Sequence, residues 1–246
     1  MRLDQLLVDR KLARSRGQAK ELIFNGLVSV NGEVVHKAST KVALDSLIQL
    51  KENGLTDYVS RAGIKLKNAS DRLGVSFEGK TVLDIGQSTG GFTDFVLQSG
   101  AVSVVGIDVG QGQLVDSLVA DPRVSFHEKV NAKDPLDLNE ALKDGKFDIV
   151  VMDVSFISIL KVIPNLKNFL LAGSHLLSLV KPQFELSKKD LNKQGIVKDQ
   201  DQYLDVKNNV CDTVASLNYV VIDYVSSGIK GGDGNEEFFI YARYDS

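Results

Sequence analysis

From about residue 81 onward, the sequence alternates short apolar runs with segments of helical periodicity. Two of the runs, Val102–Ile107 and Ile149–Met152, are apolar nearly throughout. A strand that is apolar on both faces must be covered on both faces, which is typical of a parallel sheet between two layers of helices. The sequence therefore predicts an α/β domain with a Rossmann-like, doubly wound sheet.

The pattern also predicts where the strands and helices of this domain lie. Strands are predicted at Thr81–Ile85, Val102–Asp108, Val124–His127, Phe147–Asp153, His175–Val180, Val220–Ser226 and Glu237–Arg243. Helices are predicted at Ser60–Leu73, Thr93–Ser99, Leu114–Ala120, Asn139–Leu142, Ile159–Phe169 and Gln202–Leu217. Because ligand sites in open α/β sheets gather at the carboxyl ends of the strands, we expect the functional residues there.

The first 50 or so residues have a different pattern, which predicts a small α+β module. Two short helices, the second at Arg16–Phe24 with Gly26 at its end, precede a hairpin around the turn Asn31-Gly32. The segment Lys51–Thr56 contains Asn53-Gly54 and is the best linker candidate. We therefore expect two domains, residues 1–56 and 57–246.

The charge of the chain is unevenly distributed along its length. Residues 1–67 contain 12 Lys and Arg against 7 Asp and Glu, a net charge of +5, whereas residues 68–246 contain 17 against 25, a net charge of −8. A basic first module suits contact with phosphates, although ordinary scatter of surface charge is the alternative.

Composition narrows the possible classes of protein further. A single cysteine, Cys211, permits no disulfide within the chain, and three histidines provide few ligands for a metal site. The N-terminus lacks the apolar core of a signal peptide, and the most apolar stretch, Phe169–Val180, is too short to span a bilayer. We therefore expect a cytoplasmic protein without a metal or a membrane segment.

A glycine-rich turn follows the first strand of the larger domain. The strand that ends in Asp84-Ile85 continues into residues 86–92, Gly-Gln-Ser-Thr-Gly-Gly-Phe, and a helix follows. Such a turn brings backbone N–H groups close to a ligand, but its spacing fits neither the dinucleotide fingerprint nor a P-loop. Asp108, at the end of the next strand, can accept hydrogen bonds from a ribose diol, and Asp84 is expected near the amino-acid end of the ligand. A purely structural turn with a solvated Asp108 is the alternative.

Four further polar residues are candidates for chemistry. Asp153 and Lys181 close two predicted strands, Glu237 opens the last one, and Lys65 lies in the helix that precedes the sheet. Asp153 and Lys181 should face the carboxyl edge, with Lys65 and Glu237 approaching from the flanks. Ordinary surface ion pairs are the alternative interpretation.

These residues lie within strings that make the whole chain resemble the TlyA-type, hemolysin-A-like rRNA ribose methyltransferases, whose catalytic domain is similar to FtsJ-type 2′-O-methyltransferases. The strings are Ser60-Arg61…Lys65-Leu66, Ser88-Thr89-Gly90-Gly91-Phe92-Thr93-Asp94, Asp108-Val109-Gly110, Asp153-Val154-Ser155-Phe156, Lys181-Pro182-Gln183-Phe184-Glu185 and Gly234-Asn235…Glu237. The resemblance implies S-adenosylmethionine as cofactor, ribosomal RNA or ribosomal subunits as partner, cytidine as the modified nucleoside, and no metal.

The resemblance also implies the roles of individual residues. The Lys-Asp-Lys-Glu tetrad of the family corresponds to Lys65, Asp153, Lys181 and Glu237. The residues expected to bind the cofactor are Asp84, Gly86, Ser88, Thr89, Gly90, Gly91, Phe92, Asp108 and Val109. Gln87 stands where the family usually has Ala, Gln111 where an aromatic residue is common, and Ser227-Gly228-Ile229 where Ser-Pro-Ile is common.

The N-terminal module resembles an S4 RNA-binding domain. The matching residues are Arg2-Leu3-Asp4, Arg16…Ala19…Leu22-Ile23 and Gly26-Leu27-Val28…Val30-Asn31-Gly32. The resemblance implies contact with structured RNA, and the candidate phosphate contacts are Arg2, Arg14, Arg16 and Lys20. Each of them could equally lie on a solvated helix face.

A mechanism follows from the tetrad. A ribose hydroxyl is hardly ionised at neutral pH, so methyl transfer requires alignment of the hydroxyl and removal of its proton. We expect Lys181 to take or stabilise that proton, Lys65 to supply a neighbouring charge and hold the nucleotide, Glu237 to orient the lysines, and Asp153 to align the hydroxyl.

Two other functions remain open at this stage. A membrane-active hemolysin would need an amphipathic or apolar insertion segment, which the sequence does not offer. A non-catalytic RNA-binding ribosome-assembly factor would not need the complete tetrad. Pseudouridine synthases also carry S4 modules, but the second domain here has a methyltransferase-like glycine turn instead.

Overall fold

A computed structural model describes residues 1–13, 16–24, 26–51 and 57–245, with the side chain of Glu21 left out. The chain divides into two compact units, Met1–Ile64 and Lys65–Ser246. The division falls inside a helix, and the predicted boundary at residue 56 ends a segment, 52–56, that lies outside the described residues.

The first unit contains two helices and a three-stranded sheet. The helices are α1 (Leu3–Asp9) and α2 (Arg16–Phe24), and the strands are β1 (Val28–Val30), β2 (Glu33–Val34) and β3 (Ile48–Leu50). The sheet order is β2-β1-β3 with antiparallel pairs.

Local sequence explains this small unit well. The apolar stripes of the two helices meet in a core that includes Leu3, Leu7, Leu22 and Ile23. Asn31 and Gly32 both have positive φ, as the tight hairpin turn predicted from their sequence requires.

The second unit is built around a large sheet. Its strands are β4 (Thr81–Ile85), β5 (Ser103–Asp108), β6 (Val124–Glu128), β7 (Phe147–Met152), β8 (Leu170–Val180), β9 (Tyr219–Ser226) and β10 (Phe238–Tyr244). Its helices are α3 (Arg61–Leu73), which begins in the first unit, α4 (Gly91–Gln98), α5 (Asp116–Val119), α6 (Pro135–Leu142), α7 (Pro182–Glu185) and α8 (Asp201–Ser216). None of the described helices combines the length and apolar character that a membrane crossing requires.

The sheet has the order β6-β5-β4-β7-β8-β10-β9. The strands from β6 to β8 pair in parallel, whereas β10 is inserted antiparallel between β8 and β9. The order reverses direction at β4, so the ends of β4, β5 and β7 flank the crevice where a doubly wound sheet binds ligands. The predicted α/β fold class is confirmed, and a reversed strand is added to its mostly parallel sheet.

Several predicted boundaries shift by a few residues, and two predicted elements differ more from the structure. Residues 159–169, predicted as one helix, form two 3₁₀ segments, Ile159–Lys161 and Ile163–Phe169. β8 begins at Leu170, whereas the prediction began at His175 because Gly173-Ser174 resembles a break. The Ser174 hydroxyl accepts from the Leu171 N–H and donates to the Phe147 carbonyl, which allows the polar residue to lie within the strand.

Candidate active site

The glycine turn after β4 passes very close to the end of β7. Gly86 has φ of +82°, and a Cβ built on it would lie 2.3 Å from the carbonyl oxygen of Asp153. Because only glycine leaves that space free, the residue is required both by the backbone conformation and by the contact. The turn therefore holds the ends of the two strands together.

Asp108, at the end of β5, fixes the other side of this turn. Its Oδ2 accepts a hydrogen bond of 2.8 Å from the Ser88 N–H, and its Oδ1 accepts one of 2.6 Å from the Gly110 N–H. The two bonds join the glycine turn to the loop after β5. A carboxylate has about four acceptor sites, so the side chain retains capacity for a ligand diol.

A cavity of about 340 Å³ opens between these loops and the end of β7. Its volume is within the rough range of 300–1,000 Å³ found for small-molecule sites. Four of the residues expected to bind the cofactor line it, Gly86, Ser88, Asp108 and Val109. The strand end that continues into Asp153-Val154-Ser155-Phe156-Ile157 forms the opposite wall.

The other expected cofactor residues lie beneath or beside this cavity. Asp84 and Phe92 are buried, and the Phe92 ring contacts that of Phe239 at 6.0 Å between centroids. Gly90, with φ of +95°, and Gly91 form the start of α4, and Thr89 is exposed. Asp84 and Phe92 therefore support the turn from inside the domain.

Sequence reasoning missed the segment that follows β6. Val130, Asn131, Ala132 and Lys133 line the cavity, as does Gln113 from the loop after β5. Their position directly after a predicted strand, at the same edge of the sheet, was the available signal.

A chain of buried polar side chains lies under the glycine turn. The Gln87 Nε2 donates to the Thr93 Oγ1 at 2.8 Å, and that hydroxyl donates to the Asp84 Oδ2 at 2.6 Å. Burial raises the pKa of Asp84 to about 7, against the opposing effect of the Thr93 hydrogen bond. Gln87 fits here because Gly106 has no side chain: a Cβ at position 106 would lie only 2.0 Å from the carboxamide carbon of Gln87.

The candidate catalytic residues reach one edge of the sheet through its register. Phe238 lies opposite Val180 in the antiparallel pair of β10 and β8. Glu237 directly precedes Phe238, and Lys181 directly follows Val180. Both residues therefore lie at the same end of the sheet. β7 runs parallel to β8, and Asp153 follows β7 at this carboxyl edge.

These side chains form two ion pairs within the second unit. The Lys181 Nζ lies 2.6 Å from the Asp153 Oδ1 and donates to the Ser155 Oγ at 2.7 Å. The Lys65 Nζ, carried by α3, pairs with the Glu237 Oε2, and both side chains are at most 7% exposed. The attraction between a buried cation and a buried anion in contact offsets part of the free energy lost when the two charges leave water. An isolated buried charge has no such compensation.

The loop before β10 holds Glu237 in place. A Cβ at Gly231 would lie 2.6 Å from the Glu237 Oε1, so the loop backbone passes directly over the carboxylate. Asp233 accepts a 2.8 Å hydrogen bond from the Gln183 Nε2 and another from the Asn235 N–H. Ser227, in the segment where the family commonly has Ser-Pro-Ile, donates its N–H to the Glu237 carbonyl at 2.9 Å.

Two aromatic rings lie at the rim of this edge. Phe156 is 92% exposed although it also lines the cavity, and its ring is 5.3 Å from that of Phe184. Phe156 has φ of +63°, a conformation that is rare for a bulky side chain and concentrates at functional sites.

Two of the predicted RNA contacts of the first unit share a structural partner that the sequence did not reveal. Arg2 and Arg16 both donate to the buried carboxylate of Asp4, each at 2.9 Å, and the Arg2 hydrogen bond is the largest cause that lowers the pKa of Asp4. About half of each arginine side chain stays exposed, and Lys20 is exposed as well. Arg14 lies outside the described residues.

The residues around the cavity fit S-adenosylmethionine. Asp108 has free acceptor capacity for the ribose diol, Gly86 admits a ligand against the backbone, and apolar side chains such as Ile107, Val130 and Ile157 offer walls for a purine. Among the described residues, no group of three or more His, Cys, Asp and Glu is arranged to hold a metal ion.

Comparison with known proteins agrees with this geometry. Residues 58–244 match the family described as FtsJ-like methyltransferase, and residues 1–48 match the S4 domain. Hemolysin A of Brachyspira hyodysenteriae is 39% identical over 242 residues, which cover 98% of this chain and 99% of that protein. The 16S/23S rRNA (cytidine-2′-O)-methyltransferase TlyA of Mycobacterium tuberculosis is 37% identical over 242 residues, 98% of this chain and 89% of that protein.

A solved structure is similar over the whole chain. It belongs to a protein from Streptococcus thermophilus that carries a hemolysin name, with a TM-score of 0.77 and 36% identity over 100% of this chain and 89% of that one. These matches show that the chain belongs to the FtsJ-like methyltransferase family and carries an S4 domain at its N-terminus.

Proposed function

We propose that this protein transfers a methyl group from S-adenosylmethionine to a ribose 2′-hydroxyl of ribosomal RNA, with cytidine as the target nucleoside. The observation that carries the proposal is the pair of lysine–carboxylate contacts at the carboxyl edge of the sheet, one of which, Lys181–Asp153, adjoins the cavity. The name of the M. tuberculosis relative supports the choice of substrate. The rRNA substrate in turn favours a place of action in the cytoplasm.

S-adenosylmethionine, when bound, supplies a methyl group that an oxygen nucleophile can attack in line. Asp153 is both a wall of the cavity and the partner of Lys181, so it connects the donor pocket to the lysine. Once the Lys181 amine has passed its own proton to water, it would accept the hydroxyl proton as the 2′-oxygen bonds to the methyl carbon. The bond between that carbon and the sulfur breaks in the same step, and the thioether leaves. Its side chain is 11% exposed, which leaves a route by which the proton can pass to water.

Lys65 and Glu237 are assigned a positioning role. Their ion pair is more deeply buried than the pair formed by Lys181, and it joins α3 to the start of β10. We infer that Glu237 holds Lys65 at the edge where the nucleotide must lie. The exposed ring of Phe156 offers a face on which the base of that nucleotide can stack.

The domain organisation supports a division of labour. We propose that residues 1–56 act as the RNA-binding domain and residues 57–246 as the methyltransferase domain. Arg2, Arg16 and Lys20 would contact phosphates, and the donors that the arginines do not use on Asp4 remain for that purpose.

The experiment is the variant Lys181→Ala, with methyl transfer to rRNA and binding of S-adenosylmethionine measured separately. Loss of one general base typically lowers the rate by about 10²–10⁴-fold, and donor binding should be nearly unchanged. Lys167→Ala, an exposed lysine ahead of β8, is the matched control and should keep full activity. Transfer by Lys181→Ala near the wild-type rate would show that the assigned role is wrong.

A further inference from the structure

A short hairpin follows the strand end that carries Lys181 at the carboxyl edge of the sheet. Lys181 is followed at once by α7, and the chain then forms a 3₁₀ turn, Lys188–Asp190, and a bridge between Leu191 and Val197. We call residues 187–198 the lysine hairpin. Because it follows α7, which begins directly after a candidate catalytic residue, we infer that it lies on the side where the substrate must approach.

Several hydrogen bonds lie within the hairpin and stabilise it. The Ser187 hydroxyl and the Asp190 carboxylate cap the 3₁₀ turn. The Asn192 Oδ1 accepts from the backbone N–H groups of Gln194 and Ile196, at 2.8 and 3.0 Å. The turn around Gly195 is therefore closed by side-chain contacts as well as by the bridge.

A fully buried side chain ties the hairpin to the loop that carries Glu237. The Asn235 Oδ1 accepts from the Val197 N–H at 3.0 Å, and its Nδ2 donates to the Gly195 carbonyl at 3.0 Å. Asn235 is 0% exposed and lies two residues before Glu237. Direct hydrogen bonds thus join the hairpin to the loop that carries Glu237.

The hairpin reverses the charge of the domain in which it lies. Residues 68–246 have a net charge of −8, yet residues 187–198 contain four lysines and one acid, a net charge of +3. The Lys198 ammonium group donates to the Lys189 carbonyl at 2.7 Å, so this lysine is engaged within the hairpin itself. Lys188, Lys189 and Lys193 are exposed, and within residues 57–245 no ion pair engages their ammonium groups.

From this placement we propose that Lys188, Lys189 and Lys193 form a second RNA contact, which binds backbone phosphates beside the target ribose. The proposal rests on the proposed function. An acidic domain repels a phosphate backbone, so a local cluster of cations is needed where the strand enters the site. The rigid attachment through Asn235 would keep that contact in register with Glu237.

The test uses the full chain with Lys188, Lys189 and Lys193 all changed to Gln. The probe is rRNA and ribosomal subunits purified from a strain that lacks the gene. Each lost phosphate contact lowers the slope of log affinity against log salt by about 0.7–0.9, so the triple variant should lose about 2 from that slope. The KM for RNA should rise at least tenfold, with kcat and the affinity for S-adenosylmethionine unchanged.

The matched control is a triple change of Lys143, Lys146 and Lys167 to Gln. These exposed lysines precede β7 and β8 and therefore lie at the opposite, amino edge of the sheet. The control should keep the wild-type salt slope and KM. A hairpin variant with the wild-type slope, or with the same change as the control, would overturn the proposal.

Failure of the proposed function has a different signature. In that case the wild-type protein would bind RNA with a steep salt slope but add no methyl group to ribose, while the hairpin variant would still lose about 2 from that slope.

Discussion

The carboxamide of Gln87 occupies the space that a side chain at position 106 would fill. A Cβ at Gly106 would lie 2.0 to 2.1 Å from three atoms of that carboxamide, far inside ordinary van der Waals contact. Gln87 cannot retreat without cost because it is buried and donates to the Thr93 hydroxyl at 2.8 Å. The two positions should therefore be energetically coupled.

Gly106→Ala should destabilise the second unit by about 1–3 kcal/mol, the usual cost of overpacking a well-filled core. Gln87→Ala should cost about 1 kcal/mol for the lost hydrogen bond, plus a contribution from the vacated volume. In the double variant the new methyl group enters space that the carboxamide has left. Its destabilisation should be smaller than the sum of the two single changes by about 1–3 kcal/mol.

Denaturant unfolding of the wild type, the two single variants and the double variant measures this coupling. Binding of S-adenosylmethionine by the same four proteins is a second readout. Gln98→Ala is the matched control, because Gln98 lies in α4 and is exposed, with a hydrogen bond to Asp94. Combined with Gly106→Ala, it should give additive effects. Additive effects for Gln87 and Gly106 as well would refute the reasoning.

Three further predictions concern the charged groups of the site. Lys65→Met should destabilise the protein by about 3–5 kcal/mol because it leaves Glu237 buried without a partner. The control, Lys67→Met, breaks an exposed ion pair and should change stability by less than about 1 kcal/mol. Thermal unfolding compares the two variants, and equal losses of stability would contradict the assignment. Burial raises the pKa of Asp84 from 3.8 to about 7, so the folded protein binds more protons than the unfolded chain between these values and stability falls as pH rises through that window. The melting temperature of Asp84→Asn, taken relative to that of the wild type, should therefore rise between pH 4 and 7, and parallel curves would exclude this effect. Asp108→Asn replaces one acceptor oxygen by an NH₂ group that faces a backbone N–H. The Kd for S-adenosylmethionine, measured by calorimetry, should therefore rise by about tenfold or more. An unchanged Kd would show that Asp108 does not contribute to the S-adenosylmethionine site.

Much of the fold was predictable because local patterns decided it. The apolar runs marked β4, β5 and β7, and the family match confirms the methyltransferase fold and S-adenosylmethionine as the methyl donor. The glycine turn was recognisable because its chemical requirement, close backbone approach at Gly86, is itself local in sequence.

Contacts between distant segments could not be predicted from local sequence. The division of the four candidate catalytic residues into two ion pairs depends on the insertion of β10 beside β8, a choice of strand order that no local pattern encodes. The accommodation of Gln87 by Gly106 likewise joins the turn after β4 to β5, two segments that lie side by side only in the folded domain.

The 3₁₀ segment Ile163–Phe169 and the early start of β8 show a second limit. Apolar residues at helical spacing predicted an α-helix, but periodicity does not distinguish i→i+3 from i→i+4 hydrogen bonds over so short a segment. The buried partner of Arg2 and Arg16, Asp4, was hidden for a related reason, since a basic residue with a structural role has the same sequence signal as one that contacts RNA.

Nucleoside mass spectrometry of the reaction product tests the central claim most directly. Ribosomal RNA from a strain without the gene would be incubated with the purified protein and isotopically labelled S-adenosylmethionine, then digested. The expected result is labelled 2′-O-methylcytidine, together with resistance of the adjacent 3′ phosphodiester bond in the undigested RNA to alkaline cleavage. Both should be present with the wild type and absent with Lys181→Ala. A label on the base, or no label in rRNA at all, would contradict the account.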